Sequence, residues 1–194
     1  MSAALTPVAS QAALMLSHWW SRPTAREREL WVQSFEAAEQ FAGSLGAGPG
    51  PVRDLADALS ETDDETLLDE YERLFVGPGV PPCQPYESLW VGGRQRDRGS
   101  VMGPAAIAVA AIYTELGLSV QDDAHELPDH VMIEWEAAAY ALDRAVGDAA
   151  QMLLREHLGQ WMPPFCRSVS EAAREPFYTS LAALTMEWTA ALAP

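Results

Sequence analysis

The sequence predicts an all-α protein, a single bundle of about eight or nine helices. Three observations predict it. Apolar residues recur at spacings of three and four almost throughout, as on the buried face of a helix. No stretch of useful length alternates apolar and polar residues as a half-buried strand would, and no internal repeat is present. The breaks between periodic segments carry helix start and stop signals. A chain of 194 residues with 48% apolar content is long enough to bury one sizeable core.

Val8 to Trp20 is apolar and reads as a first helix, closed by Arg22-Pro23. Thr24-Ala25-Arg26-Glu27 has the form of a capping box, and Leu30, Trp31, Phe35, Ala38 and Phe41 then make one stripe of a long second helix. Gly43 to Pro51 is a Gly/Pro-rich break, the place where a hinge at 43–51 is expected if there is one. Val52 to Leu59 supplies a short helix. Thr62-Asp63-Asp64-Glu65 is read as a second capping box, opening a helix with Leu67, Leu68, Tyr71, Leu74 and Phe75 inward.

Gly77 to Gly99 is a long irregular segment, and loops of that length in compact domains tend to be functional. It is studded with Gly and Pro and re-emerges with Tyr86 and Trp90, the look of an aromatic-edged recognition surface. Ser100 to Leu116 is an Ala-rich helix stopped by Gly117, expected to be buried on several sides. After an acidic loop, Gln121 to Leu127, Pro128 is expected to open a helix through Val146. Asp148 to Trp161 is amphipathic and expected to break at Pro163-Pro164. Phe165 to Arg174 and Pro176 to Leu192 complete the set.

With 12 Lys+Arg against 28 Asp+Glu, the net charge is -16. Such a surface repels phosphate backbones and anionic membranes and attracts basic peptides, so nucleic acid is excluded as an expected partner. Cys83 and Cys166 form neither a disulfide framework nor a metal pair. The N-terminus lacks a basic n-region, and no run approaches the roughly 18 apolar residues of a membrane span. The expectation is a cytoplasmic protein without membrane insertion.

Catalytic grammar is missing. The chain has no G-x-S-x-G, Walker or dinucleotide motif, and Gly77-Pro78-Gly79 is followed by no phosphate-binding Gly or Lys. His130 and Glu134 lie four apart and so could reach one metal ion, but no second pair answers them, and no metal is expected. Asp129 and His130, in the first turn after Pro128, read either as an exposed pair able to accept a guanidinium through Asp129 or simply as a first-turn acid complementing the helix dipole. His125 and His157 read as surface or interface histidines. On these grounds a peptide-binding module is favoured over an enzyme.

Tyr71-Glu72-Arg73-Leu74-Phe75-Val76-Gly77-Pro78-Gly79, followed by Pro85-Tyr86-Glu87-Ser88-Leu89-Trp90, resembles the signature of the TorD/DmsD/NarJ family of redox-enzyme maturation chaperones, nearest its TorD/DmsD branch. Leu127-Pro128-Asp129-His130 with Glu134, and His157-Leu158 with Trp161, Phe165, Phe177, Tyr178 and Leu181, are similar to that family's later blocks and occur in its order. The resemblance implies one TorD-like domain over 1–194 and a chaperone without turnover or cofactor of its own. It further implies binding of the twin-arginine signal peptide and apo-form of a molybdopterin oxidoreductase catalytic subunit, held in the cytoplasm until cofactor insertion and before export.

Carried over by that resemblance, the peptide-binding residues are expected to be Asp129, His130, Tyr86, Ser88, Trp90, Pro85 and Glu134. Leu74, Phe75, Gly77 and Pro78 would shape the groove, with Leu74 and Phe75 assigned first to the core. Cys83-Gln84 interrupts the proline run where relatives of this type carry Pro-Pro before the aromatic, and the 94–98 loop is basic in an acidic protein. Two alternatives stand beside this reading: a NarJ-like assembly chaperone for a membrane-bound complex, and a hydrolase using Asp129 and His130. A monomer and a dimer exchanging helices about 43–51 are both compatible with it.

Overall fold

The structure, a computed structural model, describes residues 6–91, 103–121 and 126–193. Among these residues the chain is helical, with nine α-helices: α1 (Thr6–Trp19), α2 (Ala25–Ser44), α3 (Gly50–Glu61), α4 (Asp64–Tyr71), α5 (Pro104–Glu115), α6 (Val131–Asp143), α7 (Gly147–Gln151), α8 (Gly159–Ala172) and α9 (Pro176–Leu192). Two π-helical segments extend them, Glu72–Val76 after α4 and Met152–Leu158 between α7 and α8. The basic 94–98 loop and His125 lie outside the described residues. No helix among the described residues is long and apolar enough to cross a membrane.

The core is aromatic. Trp19, Trp20, Trp31, Trp135, Trp161 and Trp188 are fully buried, with Phe165, Phe177 and Tyr178 among them. Trp31 stacks on Phe177 at 5.4 Å, tying α2 to α9. Phe165 sits between Trp20 (5.1 Å) and Trp161 (5.2 Å), joining α1 to α8. Indole N–H groups that enter the core take partners where they can, as Trp20 does in donating to Thr185 Oγ1 at 3.0 Å. α1 lies chiefly along α6, and both helices carry buried alanines, Ala9, Ala12 and Ala13 on one and Ala138, Ala139 and Ala141 on the other. Small side chains let the backbones approach closely enough for Ser10 Oγ to donate to the Ala139 carbonyl at 2.9 Å.

Five local expectations are corrected. Thr24 caps α2, accepting from the Glu27 amide at 3.1 Å, but the Glu27 carboxylate turns to His18 at 3.8 Å. The cap of α4 is Asp63, which accepts from both the amide (2.8 Å) and hydroxyl (2.9 Å) of Thr66. Thr62 instead donates back to Ala58. α6 starts at Val131, because Pro128 and Asp129 form a turn and His130 is extended and bridged to Tyr86. Pro163 and Pro164 do not break the helix: burial of Trp161, Met162, Phe165 and Cys166, each worth roughly 1.5–3 kcal/mol, outweighs the two missing donors. Lastly, α5 is not enclosed on several sides, since Ile107 is 65% exposed and Ala108 and Ala111 share its outer face. The 43–51 segment is fastened to α9 by Gly48 N–H donating to Glu187 Oε1 at 3.3 Å.

Candidate functional site: a clasp between the signature loop and α6

The loop begins where the π-helical turn ends. Gly77 N–H donates to the Glu72 carbonyl at 2.7 Å, and Gly77 takes φ of 106°. A Cβ there would meet the Gly79 carbonyl oxygen at 3.0 Å, so the turn requires glycine. Pro78, Gly79 and Val80 project to solvent, and the chain returns through Cys83 N–H donating to the Leu74 carbonyl at 3.0 Å. Leu74 and Phe75 lie beneath in the core, 0% and 5% exposed.

The returning strand-like segment pairs with the lead-in to α6. Glu87 N–H donates to the Asp129 carbonyl and Val131 N–H to the Pro85 carbonyl, both at 2.9 Å, an antiparallel bridge of Tyr86 with His130. Asp129 Oδ2 accepts from the Ser88 amide at 3.0 Å. His130 caps α6, its Nδ1 accepting from the Met132 amide at 3.2 Å. Burial lowers the His130 pKa to about 3, so the ring is neutral and available as that acceptor. Tyr86 packs edge-on against His130 at 5.2 Å and donates to Glu126 Oε2 at 2.8 Å. Trp90 donates its indole N–H to the Gln84 carbonyl at 2.7 Å and leans on Phe165.

Beneath the clasp is a layer of buried acids. Tyr86 is extended and half-exposed, and Glu87, which opens a single 3-10 turn Glu87–Leu89, points inward, where it is 2% exposed. Its Oε2 lies 2.8 Å from His157 Nδ1 on the second π-helical segment. Glu134, 0% exposed, accepts from Trp161 Nε1 at 3.2 Å. Burial, and then the charge of Glu87, push the Glu134 carboxyl well above the usual range and favour its neutral form. Glu134 Oε1 has no hydrogen-bond partner, which agrees with a carboxyl that is disfavoured as an anion there. Tyr113 Oη closes the layer from α5, donating to the Pro128 carbonyl at 2.9 Å.

The structure therefore brings the residues singled out in the sequence into one place, but on both sides of the surface. Tyr86 and Trp90 are half-buried rim residues. Asp129, His130, Glu134, Ser88 and Pro85 are buried, which corrects the expectation of an exposed Asp129–His130 pair. His157 is also buried, not a surface histidine. Glu87, His157 and Glu126 were missed as parts of the site. Glu87 had a signal, its place between Tyr86 and Ser88; His157 had none locally, being 70 residues away. No group of three or more metal-ligating side chains is gathered among the described residues.

A family model described as nitrate reductase delta subunit matches residues 47–167, which takes in the loop, the clasp and the acid layer. The chain belongs to the nitrate reductase delta subunit family. Its relatives include the Tat proofreading chaperone DmsD of Salmonella typhi, 31% identical over 134 residues, covering 66% of this chain and 63% of that protein. The chaperone protein TorD of Shewanella loihica is 27% identical over 182 residues, covering 90% and 86%. The chain thus spans less than two thirds of the length of the DmsD relative but most of TorD. A solved structure from Archaeoglobus fulgidus, described as that of a redox enzyme maturation protein, superposes with a TM-score of 0.63 over 91% of both chains at 23% identity, a likeness of fold.

Proposed function

We propose that this chain is a single-domain maturation chaperone that binds the twin-arginine signal peptide of a molybdopterin oxidoreductase precursor and holds the apo-protein back from export in the cytoplasm. The observation that carries the reading is the family match across the clasp, with relatives named as DmsD and TorD chaperones. The physics supports it. A net charge of -16 attracts a segment bearing two arginines, and guanidinium groups pair bidentately with carboxylates.

In this reading the clasp divides the work. Tyr86, Trp90 and the Glu126 carboxylate stand at the surface and touch the peptide. Pro85, Ser88, Asp129, His130 and Glu134 are positioning residues that hold those side chains in place, while Leu74, Phe75, Gly77 and Pro78 shape the loop. The hydrolase reading loses ground because Asp129 Oδ2 and His130 Nδ1 are both occupied by backbone amides. A NarJ-like role in assembling a membrane-bound complex draws support from the family's description.

Titration of the protein with a fluorescent signal peptide, against the same peptide with Arg-Arg changed to Lys-Lys, tests the proposal. The arginine peptide is expected to bind at least about tenfold tighter. Equal affinities would sink the twin-arginine reading and favour the NarJ-like one.

A further inference from the structure

The outer face of α6 carries a cleft that the clasp does not use. It has a volume of about 340 Å³ and lies between α6, the end of α5 and the 118–121 segment. That is within the roughly 300–1,000 Å³ of ordinary ligand pockets. Leu118 and Val120 wall one side, and Met132, Ile133 and Tyr140 the other. All five are half-buried, so their apolar surface still meets water. Glu136, exposed on the same helix face, places one carboxylate among them. Tyr140 already receives a guanidinium: Arg144 lies over its ring at 5.4 Å.

We propose that this cleft receives the apolar stretch of the signal peptide, with Glu136 taking a guanidinium at its rim. The proposal rests on the signal-peptide reading above and gives the peptide's second half a place that the clasp lacks, because Pro85 and Ser88 are buried and Trp90 already leans on Phe165. Charge selects the occupant. A second copy of a chain carrying -16 would bring more negative charge against Glu136, whereas a peptide with arginines ahead of an apolar run complements both the acid and the apolar walls. Arg144, at the far end of the same face, repels a guanidinium there and leaves Glu136 as the carboxylate of the cleft that takes one, with apolar side chains against Ile133 and Tyr140 on either side of it.

The test uses the whole chain and three labelled peptides read by fluorescence anisotropy: Arg-Arg with a Leu/Ala run, Lys-Lys with the same run, and Arg-Arg with the run replaced by Ser/Gly. Ile133→Ser is expected to weaken the first peptide about tenfold and leave the Ser/Gly peptide unchanged. Glu136→Lys, at an exposed position that does not threaten folding, is expected to weaken the first peptide about fivefold more than Glu29→Lys, the same charge change on α2. If Ile133→Ser fails to fold, Glu136→Lys decides alone. Unchanged affinity in both variants, with wild type still preferring Arg-Arg to Lys-Lys, overturns the cleft and leaves the function standing. Failure of wild type to bind any of the three overturns both.

Discussion

Glu70→Gln, on α4 just before the signature, is predicted to be strongly destabilising. Glu70 is 5% exposed, and its carboxylate accepts from Arg73 Nε at 2.6 Å, Arg73 Nη2 at 2.7 Å and the Arg174 amide at 2.6 Å. The same Arg73 Nη2 donates to the Ala172 carbonyl at 2.7 Å. The group therefore ties α4 to the turn between α8 and α9, about a hundred residues later in the chain. A glutamine keeps the shape but turns one acceptor into a donor facing Arg73. Breaking a buried pair costs about 3–5 kcal/mol, and with the Arg73 side chain 27% exposed the lower end applies, about 3 kcal/mol. For a chain of this size that is a fall in Tm of about 6–12 °C.

Glu72→Gln is the control, since Glu72 pairs with an Arg22 that is 61% exposed, and a change within about 1 kcal/mol is expected. Differential scanning fluorimetry of the three proteins reads both numbers. The pH dependence adds a signature. Burial alone would raise the Glu70 pKa, but the Arg73 hydrogen bonds and the Arg174 amide bring it below the ordinary value. Its contribution is thus present above the unfolded value of about 4.3 and is lost as pH falls through the lower folded value. The gap between wild type and Glu70→Gln should close in acid. A Tm for Glu70→Gln within about 2 °C of that of the Glu72→Gln protein would refute the clamp.

Two further outcomes follow from the site. Glu134→Gln is expected to fold at least as well as wild type, because burial and the charge of Glu87 disfavour a charged carboxyl there and the amide carries no charge. A raised folded pKa gives wild type a contribution that is complete below about pH 4.3 and lost as pH rises from there toward the folded value, so Glu134→Gln should gain in relative Tm as pH rises above about 4.3; a constant difference would refute the raised carboxyl pKa. Gly159→Ala is expected to cost about 1–3 kcal/mol, since a Cβ would sit 2.8 Å from the Leu154 carbonyl oxygen at the end of the π-helical segment. An unchanged urea midpoint would show that the segment relaxes at no cost.

What the sequence disclosed and what it hid divide by range. Helical stripes such as Leu67–Tyr71–Leu74 are local, and the period of 3.6 shows them directly. The core assignment of Leu74 and Phe75 came from continuing that stripe. The exposure expected for Asp129 and His130 came from an equally local rule, that acids in a first turn face water. It failed because the pairing partner, Pro85 to Ser88, lies about 40 residues upstream and covers them. The Pro163-Pro164 break failed similarly. Proline is a local veto on a helix, and only the buried neighbours of Trp161 and Phe165 reveal what overrides it.

Burial changes what the nominated acids can do in recognition. A carboxylate at 0% exposure that accepts an amide 41 residues away cannot meet a guanidinium without releasing the loop it holds. Substituting Asp129 would therefore weaken peptide binding through Tyr86 and Trp90, whose positions it secures, even if it never touches the ligand. The two roles separate by experiment. Loss of a positioning residue lowers affinity for Arg-Arg and Lys-Lys peptides by the same factor, whereas loss of a direct acceptor narrows the difference between them. Asp129→Asn is expected to follow the first pattern and Glu126→Gln, at the half-buried rim, the second. The reverse assignment would mean that the loop opens to admit the peptide, with Asp129 exchanging the Ser88 amide for an arginine.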